Sequence, residues 1–250
     1  MKRVIIEAPV YTVEAALVAA EAGVDRLELC ADFGEGGVTP SAGMVEFLKE
    51  ALTIPLQVMI RPRGGDFVYG SEEIEVMRRD IVLLRSLGAD GFVFGCLDAG
   101  ARVDSEACRV LIDAAEGAPC TFHRAFDVAL DQIEAIERIV ETGLRRILTS
   151  GAADRLADGI ANVARYVAHA AGRIIIMPGG GLEPALLPRL FELCELEEIH
   201  ASCRAYRPSR RVAAPSQVRL SQDPQSASRV LTVDPDCVRT LRRIVSASGA

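Results

Sequence analysis

Residues 121–127 read Thr-Phe-His-Arg-Ala-Phe-Asp and follow a turn signal at Gly117-Ala118-Pro119. An apolar strand that ends in a His, an Arg and an Asp can carry a proton-transfer or ligand-binding centre. His titrates near neutrality, and Arg holds anions in a fixed fork. Strand alternation sends Thr121, His123 and Ala125 to one side and Phe122 to the other. The competing reading is structural, a His–Asp hydrogen bond beside an Arg salt bridge.

Other apolar runs end in similar residues: Glu7; Glu28 with Cys30; Arg61 with Arg63 and Asp66; Cys96; Thr149 with Ser150; and His200 with Ser202. Ionic groups after Val, Ile, Leu and Phe cost desolvation unless they are paired, so five charged ends point to a shared site. A structural network at the same place is the alternative. As chemistry, His123 with Glu28 or Glu7 would form a general acid–base pair, with His200 and Asp127 orienting or assisting. Arg61 and Arg63 would clamp a carboxylate or phosphate. Asp66, Arg124, Ser150, Gly151 and Ser202 join them as substrate-binding candidates. Gly179-Gly180-Gly181 precedes a helix, where bare N–H groups suit a phosphate, although such a run can also be only a tight turn. This is acid–base work of the isomerase, lyase or hydrolase type on a small anionic metabolite, such as a sugar phosphate or hydroxy acid.

The elements that must position these residues alternate from end to end. Strand patterns fall at 4–8, 26–30, 56–60, 91–97, from 121, 146–149, 173–177 and 198–202. Helical patterns fall at 12–22, 41–51, 71–87, 105–115, 131–142, 156–171 and 184–194. Thr12 and Ser41 read as N-caps, Gly23 as a stop, and Glu72 with Glu73 suits a helix N-terminus. The strand ends advance by about 28 residues per unit, close to the roughly 30 of a strand–helix–strand unit. Eight such units predict an α/β chain folded as one (β/α)8 TIM barrel over residues 1–250, whose working residues sit at the carboxyl ends of the strands. An open doubly wound sheet is the alternative. The dinucleotide-binding Gly fingerprint is missing, so neither that sheet nor a nicotinamide or flavin cofactor is expected. Residues 203–233, rich in Arg, Ser, Pro and Gln, read as a long irregular segment before a last helix at 235–245. That segment would be a mobile cover or a subunit contact in a homo-oligomer.

Half of the 250 residues are hydrophobic and the net charge is −7. An acidic chain without Trp does not suit nucleic acid. No apolar run approaches the roughly 20 residues of a membrane span, and no signal segment opens the chain. Seven cysteines stand singly, as expected of free thiols in the cytoplasm. The lysines are Lys2 and Lys49 alone, neither at a strand end, so pyridoxal phosphate and Schiff-base chemistry are not expected. His123, His200, Cys30, Cys96 and Cys203 are the residues to consider for a soft metal, Cu(I) or Zn(II), but no local ligand spacing joins them. Cys108, Cys120, Cys194 and Cys237 read as core.

Several blocks together resemble the CutC family, described as copper homeostasis proteins. They are Asp25-Arg26-Leu27-Glu28-Leu29-Cys30; Glu35-Gly36-Gly37-Val38-Thr39-Pro40-Ser41; and Val58-Met59-Ile60-Arg61-Pro62-Arg63-Gly64-Gly65-Asp66-Phe67. The 121–127 stretch, Arg146-Ile147-Leu148-Thr149-Ser150-Gly151, Gly179-Gly180-Gly181 and His200 with Ser202 complete the series, which runs in order over about 4–202. The resemblance implies a cytoplasmic (β/α)8 barrel and a copper ion as partner, with Cys30 the candidate Cu(I) ligand.

Overall fold

The two faces of each strand are buried for different reasons. Ile6 and Ala8, Leu27 and Leu29, Leu56 and Val58, Phe92 and Phe94, Phe122, Ile147 and Ile199 join the main apolar core, packed under the helices. The alternate positions carry Glu7, Arg26, Glu28, Gln57, Thr121, Arg146, Glu198 and His200, all buried. Period-two alternation therefore turns an apolar face outward and a polar face inward. The barrel interior departs from the usual filling of branched aliphatic side chains.

The structure, a computed structural model, describes residues 3–211, 218, 223, 225 and 227–248. Its parallel strands are β1 (Ile5–Val10), β2 (Arg26–Leu29), β3 (Leu56–Met59), β4 (Gly91–Phe94), β5 (Cys120–Phe122), β6 (Arg146–Thr149), β7 (Ile175–Pro178) and β8 (Glu198–His200). They are ordered β7-β6-β5-β4-β3-β2-β1-β8, and β7 and β8 come back into contact to bring the sheet round on itself. Pro178 brings no N–H to that seam. Between the strands run α1 (Val13–Ala22), α2 (Ala42–Ala51), α3 (Ser71–Ser86), α4 (Ser105–Ala115), α5 (Gln132–Thr142), α6 (Leu156–Ala170) and α7 (Leu187–Leu193). A last helix, α8 (Pro235–Ser248), follows. The expected TIM barrel is the observed fold.

Local chemistry explains the element ends. Thr12 and Ser41 accept from Ala15 and Met44 N–H as N-caps, and Gly23 ends α1 with a left-handed φ of 101°. Two boundaries differ from the sequence pattern. Strand β5 stops at Phe122, because His123 caps a 3-10 turn over Arg124–Val128, so Ala125 is buried in that turn and does not continue the alternation. The segment expected to be irregular begins and ends in strands, β9 (Arg204–Pro208) and β10 (Arg229–Val233), which pair antiparallel. Much of what lies between them is outside the described residues. The ribbon is held down rather than free: Thr12 Oγ1 donates to Leu231 O at 3.4 Å, and Arg207 pairs with Glu14 at 2.5 Å.

One close approach sets the loop after β6. A Cβ on Gly159 of α6 would lie 1.8 Å from the Ser150 carbonyl oxygen, a fixed backbone atom. Alanine raises intrinsic helix propensity, yet here α6 would have to move away from the loop. Gly159→Ala is expected to lower stability by about 2–3 kcal/mol in urea unfolding, and an unchanged midpoint would contradict the packing.

Candidate functional site

Strands β1, β2 and β8 bring three donor groups together. Glu7, Glu28 and His200 each offer a ligand atom, all within 4.8 Å of one another and all buried. The His200 Nε2–H donates to Glu28 Oε2 at 2.8 Å, and Glu7 Oε1 faces the same nitrogen at 3.9 Å. Among the described residues neither Glu7 Oε1 nor Glu28 Oε1 has a hydrogen-bond partner. Burial pulls the His200 imidazole down, but the charges of Glu28 and Glu7 outweigh it, and its pKa lies above the ordinary value. Gly179 on the neighbouring loop makes room for the ring, since a Cβ there would come 3.0 Å from both His200 Cβ and Nδ1.

Deeper in the barrel lies the ionic layer that holds this cluster. Arg26 Nε donates to Glu7 Oε2 at 2.5 Å, and its other end pairs with Glu198. Arg146 reaches Glu198 at 2.9 Å and Thr121 Oγ1 at 3.1 Å. Arg26, Arg146 and Glu198 were not singled out in the sequence, because they open their strands. Their signal is the two-residue step that puts Arg26 on the face of Glu28 and Glu198 on the face of His200.

A second group lies around Arg61, which is 5% exposed. Its guanidinium donates to the carbonyls of Glu35, Gly37 and Gly65, stacks 4.8 Å over Phe67, and leaves Nε buried without a partner. Among the described residues no carboxylate neutralises it. Beside it, His123 accepts from the Ala125 N–H through Nδ1 at 3.2 Å, which leaves the proton of the neutral ring on a buried, unpartnered Nε2. Burial, helped by the positive charge of Arg61, pushes His123 down to about 3, so it is a neutral donor at physiological pH. The imidazole joined to Glu28 is therefore His200 and not His123.

Other expected residues are placed differently. Asp127 was expected to assist catalysis, but its carboxylate is fully engaged. It accepts from Thr149 Oγ1, from Ser150 N and Oγ and from Ala152 N, and it pairs with Arg124 at 2.8 Å. The loop N–H groups that could bind a ligand anion thus bind the protein's own carboxylate, and Asp127, Arg124 and Ser150 form a structural clasp next to Gly151. Arg63 and Asp66 pair with each other at 3.0 Å, and Arg63 also holds Glu73 at 2.6 Å, on an exposed part of the loop. Gly180 and Gly181 pack beside Arg124 and Arg155 respectively. Ser202 lines a cleft with Pro9, Tyr11 and Phe33 under the β9–β10 ribbon.

Cys30 forms a small apolar cluster with Met59, Val93 and Tyr11, apart from the main core. Burial, reinforced by Glu28 and Glu7, raises the Cys30 thiol well above its ordinary value, so it is protonated at rest. All seven cysteines are free.

Comparisons with known proteins agree with one another. The model of the CutC family matches residues 4–205. The chain is 42% identical over 241 residues to a copper homeostasis protein cutC homolog of Homo sapiens, covering 96% of this chain and 88% of the relative. A family protein CutC of Xylella fastidiosa is 41% identical over 246 residues, covering 98% and 90%. Among solved structures, one described as a candidate copper homeostasis protein CutC from Streptococcus agalactiae superposes with a TM-score of 0.75. It is 32% identical, covering 80% of this chain and 98% of the other.

Proposed function

The chain belongs to the CutC family, and from that premise we propose that its barrel is an acid–base enzyme for a small metabolite bearing a carboxylate or phosphate. The observation that carries this reading is Arg61, a buried guanidinium with no carboxylate partner among the described residues, beside the unpartnered Nε2–H of His123. Burying an uncompensated charge is costly, and an anionic ligand would supply the missing partner. The Glu7–Glu28–His200 cluster adds proton acceptors and a proton donor held within 4.8 Å of one another. The reaction class that fits is proton transfer of the isomerase or lyase type.

The test is a thermal-shift screen of phosphorylated and carboxylated metabolites against the wild type and Arg61→Met. A true ligand at about 100 times its Kd adds about 2.7 kcal/mol. For a chain of this size that raises Tm by roughly 5–10 °C, and Arg61→Met should lose most of the gain. If no anion protects the wild type more than Arg61→Met, the reading fails.

A second reading has its own support. Relatives carry the name copper homeostasis protein, and Cys30 and Met59 put two sulfur-bearing side chains together at the barrel mouth. Cu(I) favours such ligands, and copper would then be cargo, taken up as the Cys30 proton leaves. Anaerobic Cu(I) titration of the wild type against Cys30→Ser separates the readings, because equal weak binding by both removes copper. Free thiols throughout support a cytoplasmic location. No helix among the described residues is long and apolar enough to cross a membrane. Half-exposed Phe47 on α2 with Val76 and Leu83 on α3 supports a homo-oligomer.

A further inference from the structure

We propose that Glu7, Glu28 and His200 form a binding site for a divalent first-row cation such as Mn(II) or Zn(II). The inference deepens the reading of the same cluster as a reaction centre, but its geometry stands apart from the anion site at Arg61.

The donor atoms converge. His200 Nε2 lies 2.8 Å from Glu28 Oε2 and 3.9 Å from Glu7 Oε1. Ligand atoms at roughly 2.1 Å from one metal ion sit about 3–4 Å apart in tetrahedral or octahedral geometry. Only small side-chain adjustments separate the observed arrangement from a ligating one. Independent of that spacing, Glu7 is 0% and Glu28 3% exposed, and each keeps one carboxylate oxygen without a hydrogen-bond partner. A buried carboxylate oxygen left unpaired is costly, and a cation placed between Glu7 Oε1 and His200 Nε2 would satisfy it.

Charge leads to the same conclusion. Within the linked network three carboxylates, Glu7, Glu28 and Glu198, meet two guanidiniums, Arg26 and Arg146, while the buried Arg61 pairs with none of them. One positive charge is missing, and the His200 proton can supply it. A divalent cation would displace that proton to solvent and bring one further positive charge, which a substrate oxyanion or bound hydroxide can neutralise. Arg26, fixed to the far oxygen of Glu7, orients the carboxylate as outer-shell partners of metal ligands do. Two carboxylates and one imidazole are hard to borderline donors, suited to Mn(II), Fe(II) or Zn(II) and poorly suited to Cu(I). A bound cation would lower the pKa of a coordinated water or polarise a substrate oxygen.

The test uses the purified full chain after chelator treatment. Mn(II) binding is read by electron paramagnetic resonance, and Zn(II) binding by equilibrium dialysis with metal analysis. One ion per chain is expected, with affinity reduced at least about tenfold in Glu28→Gln and in Glu7→Gln and unchanged in Cys30→Ser. Circular dichroism identifies any variant that fails to fold, in which case His200→Gln replaces it. Absence of binding, or equal binding by the wild type and every folded ligand variant, overturns the proposal. Anion protection through Arg61 is measured without added metal, so either idea can fail alone.

Discussion

Replacing Arg26 by Met is expected to lower the unfolding free energy by about 3–5 kcal/mol. The Arg26 side chain is 9% exposed and bridges Glu7 and Glu198 across the lumen. The Met side chain is about as long as the aliphatic stem, so packing changes little and the loss is electrostatic. Glu198 would keep Arg146 at 2.9 Å, but the Oε2 atom of Glu7 would lose its charged partner inside a closed barrel. The contrast is Arg3, which is 70% exposed and pairs with Asp25 at 2.5 Å. Arg3→Met should cost less than about 1 kcal/mol, since water screens that pair. Urea unfolding in chelator at pH 7 reads both differences. Adding Glu7→Gln to Arg26→Met should recover part of the loss, because the stranded charge is gone. A loss for Arg26→Met no larger than that for Arg3→Met would show that the lumen network does not hold the barrel together.

That network explains why the fold was easier to read than the site. Repeated strand–helix units are a local signal: Thr12, Ser41 and Gly23 act within one turn of where they stand in the chain. The closing contact of β1 with β8 joins Glu7 to His200 across almost the whole chain, yet the unit count alone requires it. The site depends on which side chains meet, and spacing does not carry that information. His200 rather than His123 pairs with Glu28, because β8 and β2 flank β1 while β5 lies across the barrel. Arg61 and Arg63 look equivalent in sequence. Strand alternation beyond β3 buries Arg61, whereas Arg63 falls in an exposed turn with Asp66 and pairs with Glu73 of α3. Asp127 reads in sequence as an assisting group with only Arg124 near it; the other groups that saturate its carboxylate come from β6 and its loop more than twenty residues later. The ribbon at 204–208 and 229–233 was hidden by an intervening stretch with no strand pattern.

Replacing His123 by Gln is expected to flatten the acid limb of the stability curve. The wild-type ring titrates at about 3 in the folded chain, mainly because burial disfavours its charge and also because Arg61 lies beside it. The unfolded chain protonates His near 6.5, so below that pH the unfolded state holds one more proton than the native state. Stability must then rise with pH across this window and fall on acidification, by up to about 1.4 kcal/mol per pH unit for this one group. Integrated from neutrality, the cost is about 2 kcal/mol at pH 5 and about 3 kcal/mol at pH 4. A Gln can keep the ring's hydrogen bond and its neutral donor, since its carbonyl can accept the Ala125 N–H in place of Nδ1 and its amide N–H can stand in for Nε2–H. It does not titrate, so the difference between the two curves isolates His123 from every carboxylate they share. Urea midpoints at half-unit steps from pH 7 to 4 should therefore diverge, with the variant gaining on the wild type by about 2 kcal/mol at pH 5. Parallel curves would mean that His123 protonates normally in the folded chain. It would then be able to act as an acid or base near neutrality, and the Nε2–H assigned here as a fixed neutral donor would have to be reassigned.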